Sequence, residues 1–291
     1  MGLIGASCSA NILVTSNLTK PMTNEKNNEL LELTESYKRF TKFVILTFDQ
    51  SSLDTKNQIL RNFIAKSHSL INSISLLLKE EQEGEAMALY RLLIERYFYL
   101  EYLHKTNSYQ AFKDWSFIKT FESRNKMRSN SEFNSPKTKE YLVDSKEQVK
   151  KYQALKKEKN QWIEPKIENF AKEIDFSFLY SLGYDLGSSF VHPRADEGYW
   201  DALRIVKNER MVEFKKNNIL RNSILLANGM LINASNRSDF EFGEYLNFYC
   251  NSIFDYLVED KELPNLKDIE KIFFANMIAK IKKTTVNNGY K

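Results

Sequence analysis

Two charged residues interrupt an otherwise apolar helical sequence and are the first candidates for chemistry. Arg91 and Glu95 stand four residues apart in AMALYRLLIERYFYLEYL, so a helix places both on one face, with Tyr102 three turns after Arg91. They must be paired or functional, because an unpaired buried charge costs several kcal/mol. Either Arg91 binds an external anion or a partner helix while Glu95 orients its planar fork, or the two form a buried pair that fixes helix register.

A second polar stretch follows at 184–193, in YDLGSSFVHP. Tyr184, Ser188 and His192 recur one helical turn apart and form a polar stripe, with Ser189 beside it. We predict that the tyrosine and the two serines bind a ligand, as does Tyr102, and that the histidine acts as an acid or base. The alternative is a last-turn histidine that only hydrogen-bonds an orphan carbonyl.

A third pair, Arg61 and His68, provides secondary catalytic candidates in RNFIAKSH. Six residues separate them, which places both on one helix face about 10 Å apart along the axis. The spacing is weakly specific, since roughly 0.3 such matches are expected by chance in a chain of this composition. An exposed helix face is the alternative interpretation.

The order of the polar residues resembles an all-helical bacterial family known only as a domain of unknown function. The likeness rests on R-x3-E in an apolar helix, a later Trp162, and Y-x3-S-S-x2-H-P at 184–193, and it covers about residues 55–235. That family carries no established activity. The resemblance therefore implies an intracellular helical domain in which these positions are the recurring polar ones.

The Arg61 and His68 pair also resembles, more loosely, the HEPN superfamily of helical ribonucleases and toxins, which carry Arg, four to six residues and then His. That resemblance implies RNA cleavage without a metal, in a site shared across a homodimer. A histidine would accept the proton of a ribose 2′-hydroxyl, and an arginine would stabilise the charge on the phosphoryl oxygens. Either this pair or Arg91 with His192 could supply those groups.

The composition predicts an all-α fold, a multi-helix bundle around a central apolar helix with a basic helical insertion. Gly 9 and Pro 5 are few for 291 residues, which disfavours turn-rich sandwiches, barrels and dinucleotide folds. The central helix is 85–104, apolar on nearly every face, packed against its neighbours 55–79 and 167–192. Gly183 and Gly187 leave room for another helix or a ligand beside the backbone. Hydrophobic periodicity predicts helices at 24–49, 55–79, 85–104, 141–160, 167–192, 209–233, 240–259 and 265–283.

The predicted domain organisation is a flexible leader at 1–24, a helical domain at 25–259, and a C-terminal helix and tail at 260–291. Within the helical domain, 113–160 forms a basic insertion with 13 Lys/Arg against 7 Asp/Glu. The insertion either faces phosphates or is simply solvated. Its polar stretch 123–140 is predicted to be a loop.

Several functional classes are disfavoured by the sequence. It contains no phosphate-binding glycine loop, no nucleophile elbow and no H-E-x-x-H helix, so we expect no cofactor and no metal site. Cys8 and Cys250 are too few for a disulfide framework, which favours a reducing cytoplasm. No apolar run is long enough for a membrane helix, so we expect no membrane partner.

Two functions remain from the sequence. The first is a bacterial cytoplasmic effector of the defence or toxin type that binds RNA or a nucleotide and cleaves RNA without metal. The second is a non-catalytic helical interaction module, in which the polar residues pin helices together and the basic insertion binds a partner protein. The first rests on Arg91, Glu95, Tyr184 and His192 and on the HEPN-like pair.

Overall fold

The computed structural model describes residues 24–49, 54–133, 135–136, 142–158, 162–192, 195, 198–207, 214–238, 242–259, 261–262 and 265–288. The described residues form helices and connecting turns and contain no strand, which confirms the all-α prediction. The predicted leader lies outside the described residues up to residue 23.

The helices of the described residues are labelled α1 to α10 in chain order. In that order they are Asn24–Asp49, Thr55–Lys79, Glu83–Thr106, Tyr109–Ser129, Lys146–Lys157, Ile167–Glu173, Tyr199–Lys207, Phe214–Arg237, Gly243–Glu259 and Leu266–Asn288. A short 3-10 turn, Ser131–Phe133, follows α4. Between α6 and α7 lies a composite segment, residues 177–188, which we call the π-segment: Ser177–Leu179 and Leu186–Ser188 are α-helical and Tyr180–Asp185 is π-helical.

The chain divides into two compact units. The first unit comprises residues 1–100 and 166–291, and the second unit comprises residues 101–165, so the boundary falls within α3. The second unit overlaps the predicted basic insertion 113–160 without sharing its limits.

The first unit is built around helices that bury apolar faces against one another. Neighbouring pairs are α1 with α2, α8 and α10, then α8 with α2 and α9, and α9 with α10. Phe40 of α1 stacks on Tyr249 of α9 with ring centroids 3.8 Å apart, and Phe273 of α10 lies 4.9 Å from Phe40. Such apolar burial is the main source of stability in a helical bundle.

A buried polar network joins the same helices. The Ser36 hydroxyl of α1 donates to the Glu270 carboxylate of α10 and lies 3.0 Å from the Tyr249 hydroxyl. Arg39 donates from Nε to the other oxygen of Glu270 at 3.1 Å. Every charged group in this network has a partner, as buried charges require.

The predicted helix 85–104 corresponds to α3, which buries an apolar face that includes Leu93, Ile94 and Phe98. Helix α8 is also enclosed, because consecutive residues such as Leu225, Leu226 and Ala227 are all buried. A helix buried on every face must pack against several others.

The second unit differs from the prediction at 123–140, because α4 continues through the first part of that stretch to Ser129. The helix persists because Arg124 and Arg128, one turn apart, both pair with the buried Asp144 carboxylate, the former at 2.9 Å. Phe121 of α4 also stacks on Tyr152 of α5 at 4.2 Å. The sequence predicted a basic helical insertion over 113–160 but did not predict α4 as a separate helix.

The prediction of one continuous helix over 167–192 was wrong. Helix α6 stops at Glu173, and Asp175 adopts a φ of 60°. The Phe176 N–H then donates to the Ala171 carbonyl at 2.8 Å, as in a Schellman ending. Apolar residues recur across this break at helical spacing, so periodicity alone does not reveal it.

Candidate functional site

The two polar stretches of the sequence meet in the first unit. Arg91 of α3 donates from Nε to Ser188 Oγ at 2.8 Å, from Nη2 to the Tyr184 hydroxyl at 2.9 Å, and from Nη1 to Glu95 Oε2 at 3.3 Å. The guanidinium carbon also lies 4.3 Å from the centroid of the Tyr184 ring. We call these four residues the Arg91 cluster. It joins α3 to the π-segment.

Two glycines bring the π-segment against α3. A Cβ atom on Gly187 would lie 2.7 Å from Arg91 Cβ, and one on Gly183 would collide with Ile94. Both glycines are buried. The space that the sequence left open for a helix or a ligand is therefore filled by α3.

The members of the Arg91 cluster hydrogen-bond to one another. Ser188 donates its hydroxyl hydrogen to the Tyr184 carbonyl at 2.8 Å and so accepts the Nε hydrogen with a lone pair. The Arg91 side chain is 14% exposed and that of Glu95 is 29% exposed. These three bonds use three of the five guanidinium N–H donors and leave an incoming phosphate at most one donor on each Nη atom. These contacts favour a helix-pinning role for Arg91.

The other primary candidates lie outside these contacts. His192 is exposed in the turn that follows the π-segment, and its backbone N–H donates to the Ser188 carbonyl at 3.1 Å. Among the described residues, its imidazole has no hydrogen-bonding partner. Ser189 Oγ donates to the carbonyl of Leu186 at 2.7 Å. Tyr102 belongs to the second unit, where its ring meets Trp162 edge-on at 6.1 Å.

The secondary pair Arg61 and His68 lies on α2. The half-buried His68 places Nδ1 2.7 Å from Thr41 Oγ1 of α1. The Thr41 hydroxyl donates to the Tyr37 carbonyl at 2.8 Å, which assigns the Nδ1 atom as the donor to Oγ1. Burial lowers the pKa of His68 below its ordinary value, and the charges of Lys38 and Lys42 lower it further. The histidine is thus engaged in packing α2 on α1.

This environment predicts a pH effect on stability. Since the folded-state pKa of His68 is depressed, the unfolded chain takes up a proton first as the pH falls below about 6.5. The stability is therefore present above the unfolded-state pKa and is lost as the pH falls through the folded-state pKa. We expect His68→Asn, whose amide can still donate to Thr41, to lose less unfolding free energy than the parent between pH 7.5 and pH 5. Urea unfolding at each pH measures the free energy of unfolding of both proteins. An equal loss in both between pH 7.5 and pH 5 would show that His68 does not cause the acid sensitivity.

The sequence patterns did not reveal an exposed apolar stripe along the π-segment and the turn that follows it. Phe178, Leu182, Leu186 and Phe190 are 48%, 52%, 50% and 43% exposed. Their regular spacing of four in F-x3-L-x3-L-x3-F was the available signal. It was hidden because apolar residues at helical spacing ordinarily indicate a buried face.

The described part of the chain holds no group of three His, Cys, Asp or Glu side chains arranged for a metal ion. No helix within the same residues is long and apolar enough to cross a bilayer.

Comparison with known families places part of the chain in a described family. Residues 57–204, 148 of the 291, match the sequence model of a family of unknown function, DUF5677. The predicted family-like core was about 55–235. No curated protein and no solved structure is significantly similar to the chain. The HEPN-like resemblance of Arg61 and His68 gains no support from these comparisons.

Proposed function

The chain belongs to DUF5677, a family of unknown function, and we propose from its own geometry that it is a non-catalytic helical interaction module whose partner is a second copy of itself. The observation that carries this proposal is the exposed stripe of Phe178, Leu182, Leu186 and Phe190. Contiguous apolar side chains on a protein surface mark interaction sites more often than isolated ones do. The Arg91 cluster holds the same segment against α3.

The order of residues in the stripe suits a twofold axis. F-x3-L-x3-L-x3-F reads the same in both directions, so an axis through the middle of the stripe, at residue 184, would set Phe178 against Phe190 of the second copy. It would equally set Leu182 against Leu186 of that copy. Isologous interfaces of this kind require a self-complementary patch.

The expected affinity is moderate. Full burial of a Leu or Phe side chain contributes roughly 1.5–3 kcal/mol, so eight half-exposed side chains contribute roughly 6–12 kcal/mol. Association costs about 4–15 kcal/mol in lost translational and rotational freedom. The net gain therefore reaches about 8 kcal/mol at most, which corresponds to a dissociation constant near 1 μM, so one charged substitution within the stripe should be enough to separate the copies.

Sedimentation equilibrium tests the dimer. We expect the parent protein to sediment as a dimer at tens of micromolar and Leu182→Asp to sediment as a monomer, because dimerisation would bury an unpaired carboxylate. Leu76→Asp is the matched control, since Leu76 is 53% exposed on α2 and lies outside the stripe. It should remain a dimer. A monomeric parent protein, or a dimer that survives Leu182→Asp, would contradict the proposal.

We propose that the protein resides in the cytoplasm. Cys250 is a free, buried thiol, and burial raises its pKa, which suppresses the reactive thiolate. A reducing compartment suits a chain that keeps such a cysteine unpaired.

A second candidate function is a bacterial effector of the defence or toxin type that binds RNA or a nucleotide and cleaves RNA without metal. Two separate observations favour it. His192 is exposed one turn beyond Ser188 and is accessible to a substrate. In the second unit, exposed lysines that have no ion pair with a described residue could attract phosphates; these are Lys126, Lys146, Lys150 and Lys157.

Incubation of the purified protein with total RNA tests this candidate. Cleavage that persists with a chelator and disappears in His192→Ala, at unchanged thermal stability, would support it. If cleavage instead disappears in His68→Ala, the catalytic histidine is the one on α2. Intact RNA after exposure to concentrated protein would leave the interaction module as the only candidate.

A further inference from the structure

We infer that the second unit binds an organic cation with a methylated ammonium head. The observation is a cavity of about 190 Å³ whose walls combine tryptophan rings with carboxylates. All of its lining residues belong to the second unit. The residues that carry the argument are Asp114, Trp115, Ile118, Leu155, Glu158 and Trp162.

The aromatic walls are held in place by their neighbours. Trp115 and Trp162 meet edge to face, with ring centroids 4.8 Å apart and an angle of 63° between their planes. Phe112 stacks on Trp115 at 5.8 Å and meets Trp162 edge to face at 5.0 Å. Trp162 also donates from Nε1 to Ser108 Oγ at 3.1 Å, which fixes the ring. Rigid tryptophan faces are the preferred surface for a cation–π contact.

A cation of the chain itself already uses this chemistry. The Lys119 ammonium lies 5.6 Å from the centroid of the Trp115 ring, although Lys119 does not line the cavity. The electrostatic environment of this ring therefore accepts an ammonium group.

Two carboxylates provide the opposite charge. Asp114 accepts a hydrogen bond from Gln110 at 2.9 Å, and its nearest ammonium, that of Lys151, stands 3.9 Å away, so the carboxylate keeps room for a second cation. Glu158 is exposed at the end of α5 and has no ion pair with a described residue.

The charged residues that line the cavity are acidic, whereas the segment around them is basic. Segment 113–160 contains 13 Lys/Arg against 7 Asp/Glu, yet no lysine or arginine lines the cavity. A random sample of this surface would be basic. The cavity is instead acidic and aromatic, which selects against anions.

The size of the cavity and the hydration of the ligand limit the class of ligand that can bind. The cavity is smaller than the roughly 300 Å³ at which ordinary small-molecule pockets begin, so it admits a head group and excludes a nucleotide. Its floor of Ile118 and Leu155 is apolar. A primary ammonium is strongly hydrated and resists such a surface, whereas methylation replaces its hydrogen-bond donors with apolar groups.

Titration of the full-length protein with choline chloride at constant ionic strength tests this inference by tryptophan fluorescence and calorimetry. The neutral isostere 3,3-dimethylbutan-1-ol has the same shape without the charge. We expect choline to bind and the isostere not to bind. The double variant Asp114→Asn/Glu158→Gln should bind choline roughly tenfold more weakly, as expected for one to two lost charge contacts.

The matched control is Glu132→Gln/Glu147→Gln, which removes two carboxylates of the same unit that do not line the cavity. It should bind choline like the parent protein. Thermal unfolding of both variants establishes that they fold. Equal binding of the isostere, no binding of choline by the parent protein, or equal weakening in both double variants would overturn the inference. The sedimentation test of Leu182→Asp concerns the first unit, so its result does not depend on choline binding by the second unit.

Discussion

Arg91→Met is expected to lower the free energy of unfolding by about 2–3 kcal/mol. The substitution keeps the aliphatic stem but removes all three hydrogen bonds of the guanidinium, to Ser188, Tyr184 and Glu95. The partially buried Glu95 carboxylate then loses its ion pair with Arg91. We place the loss below that of a fully buried ion pair, because the Glu95 side chain is 29% exposed.

Urea unfolding followed by circular dichroism measures this change. Arg96→Met is the matched control on the same helix. Arg96 donates one hydrogen bond, to the Leu92 carbonyl at 2.8 Å, and its charge interacts with Glu95, but both partners belong to its own helix. This substitution should cost about 1 kcal/mol or less. Arg91→Lys should fall between, because a lysine keeps the charge but cannot make three planar contacts at once. Equal losses for Arg91→Met and Arg96→Met would show that the link to the π-segment adds no stability.

Gly187→Ala is expected to destabilise the protein by about 1–3 kcal/mol through overpacking. The added Cβ would lie 2.7 Å from Arg91 Cβ, an atom that no rotamer change can move, and 3.5 Å from the Met87 carbonyl oxygen. Relief therefore requires the π-segment to move away from α3, which also weakens the Arg91 cluster.

The control for this prediction is a glycine whose replacement by alanine should not lower the stability. Gly229 lies within α8, and a Cβ there meets nothing closer than Tyr97 Cε2 at 3.5 Å, an ordinary contact. Gly229→Ala should leave stability unchanged or raise it by up to about 1 kcal/mol through helix propensity. Thermal unfolding of the two variants measures the difference. A stabilising Gly187→Ala would mean that the π-segment is not held tightly against α3.

The spacing of Arg91 and Glu95 correctly indicated a contact, because residues four apart on a helix are neighbours by local geometry. Gly183 and Gly187 correctly indicated that another part of the molecule approaches the backbone closely, but they did not indicate that this part is α3. The pattern R-x3-E followed by Y-x3-S-S-x2-H-P indicated an uncharacterised helical family, which the DUF5677 match confirms. The catalytic and ligand-binding roles assigned to these residues stay predictions.

The sequence by itself determined what depends on neighbours along the chain: the all-α class, the bounds of α1 and α2, and which residues share a helix face. Only the tertiary structure decided that Arg91 joins Ser188, that the backbone becomes π-helical at Tyr180–Asp185, and that Trp115 meets Trp162. The physical reason is that a π-helical turn is rare and locally less favoured than an α-helical turn, so a contact elsewhere in the fold must stabilise it. Packing against another helix therefore selects between them, and no spacing along one chain segment records which distant segment will supply that helix.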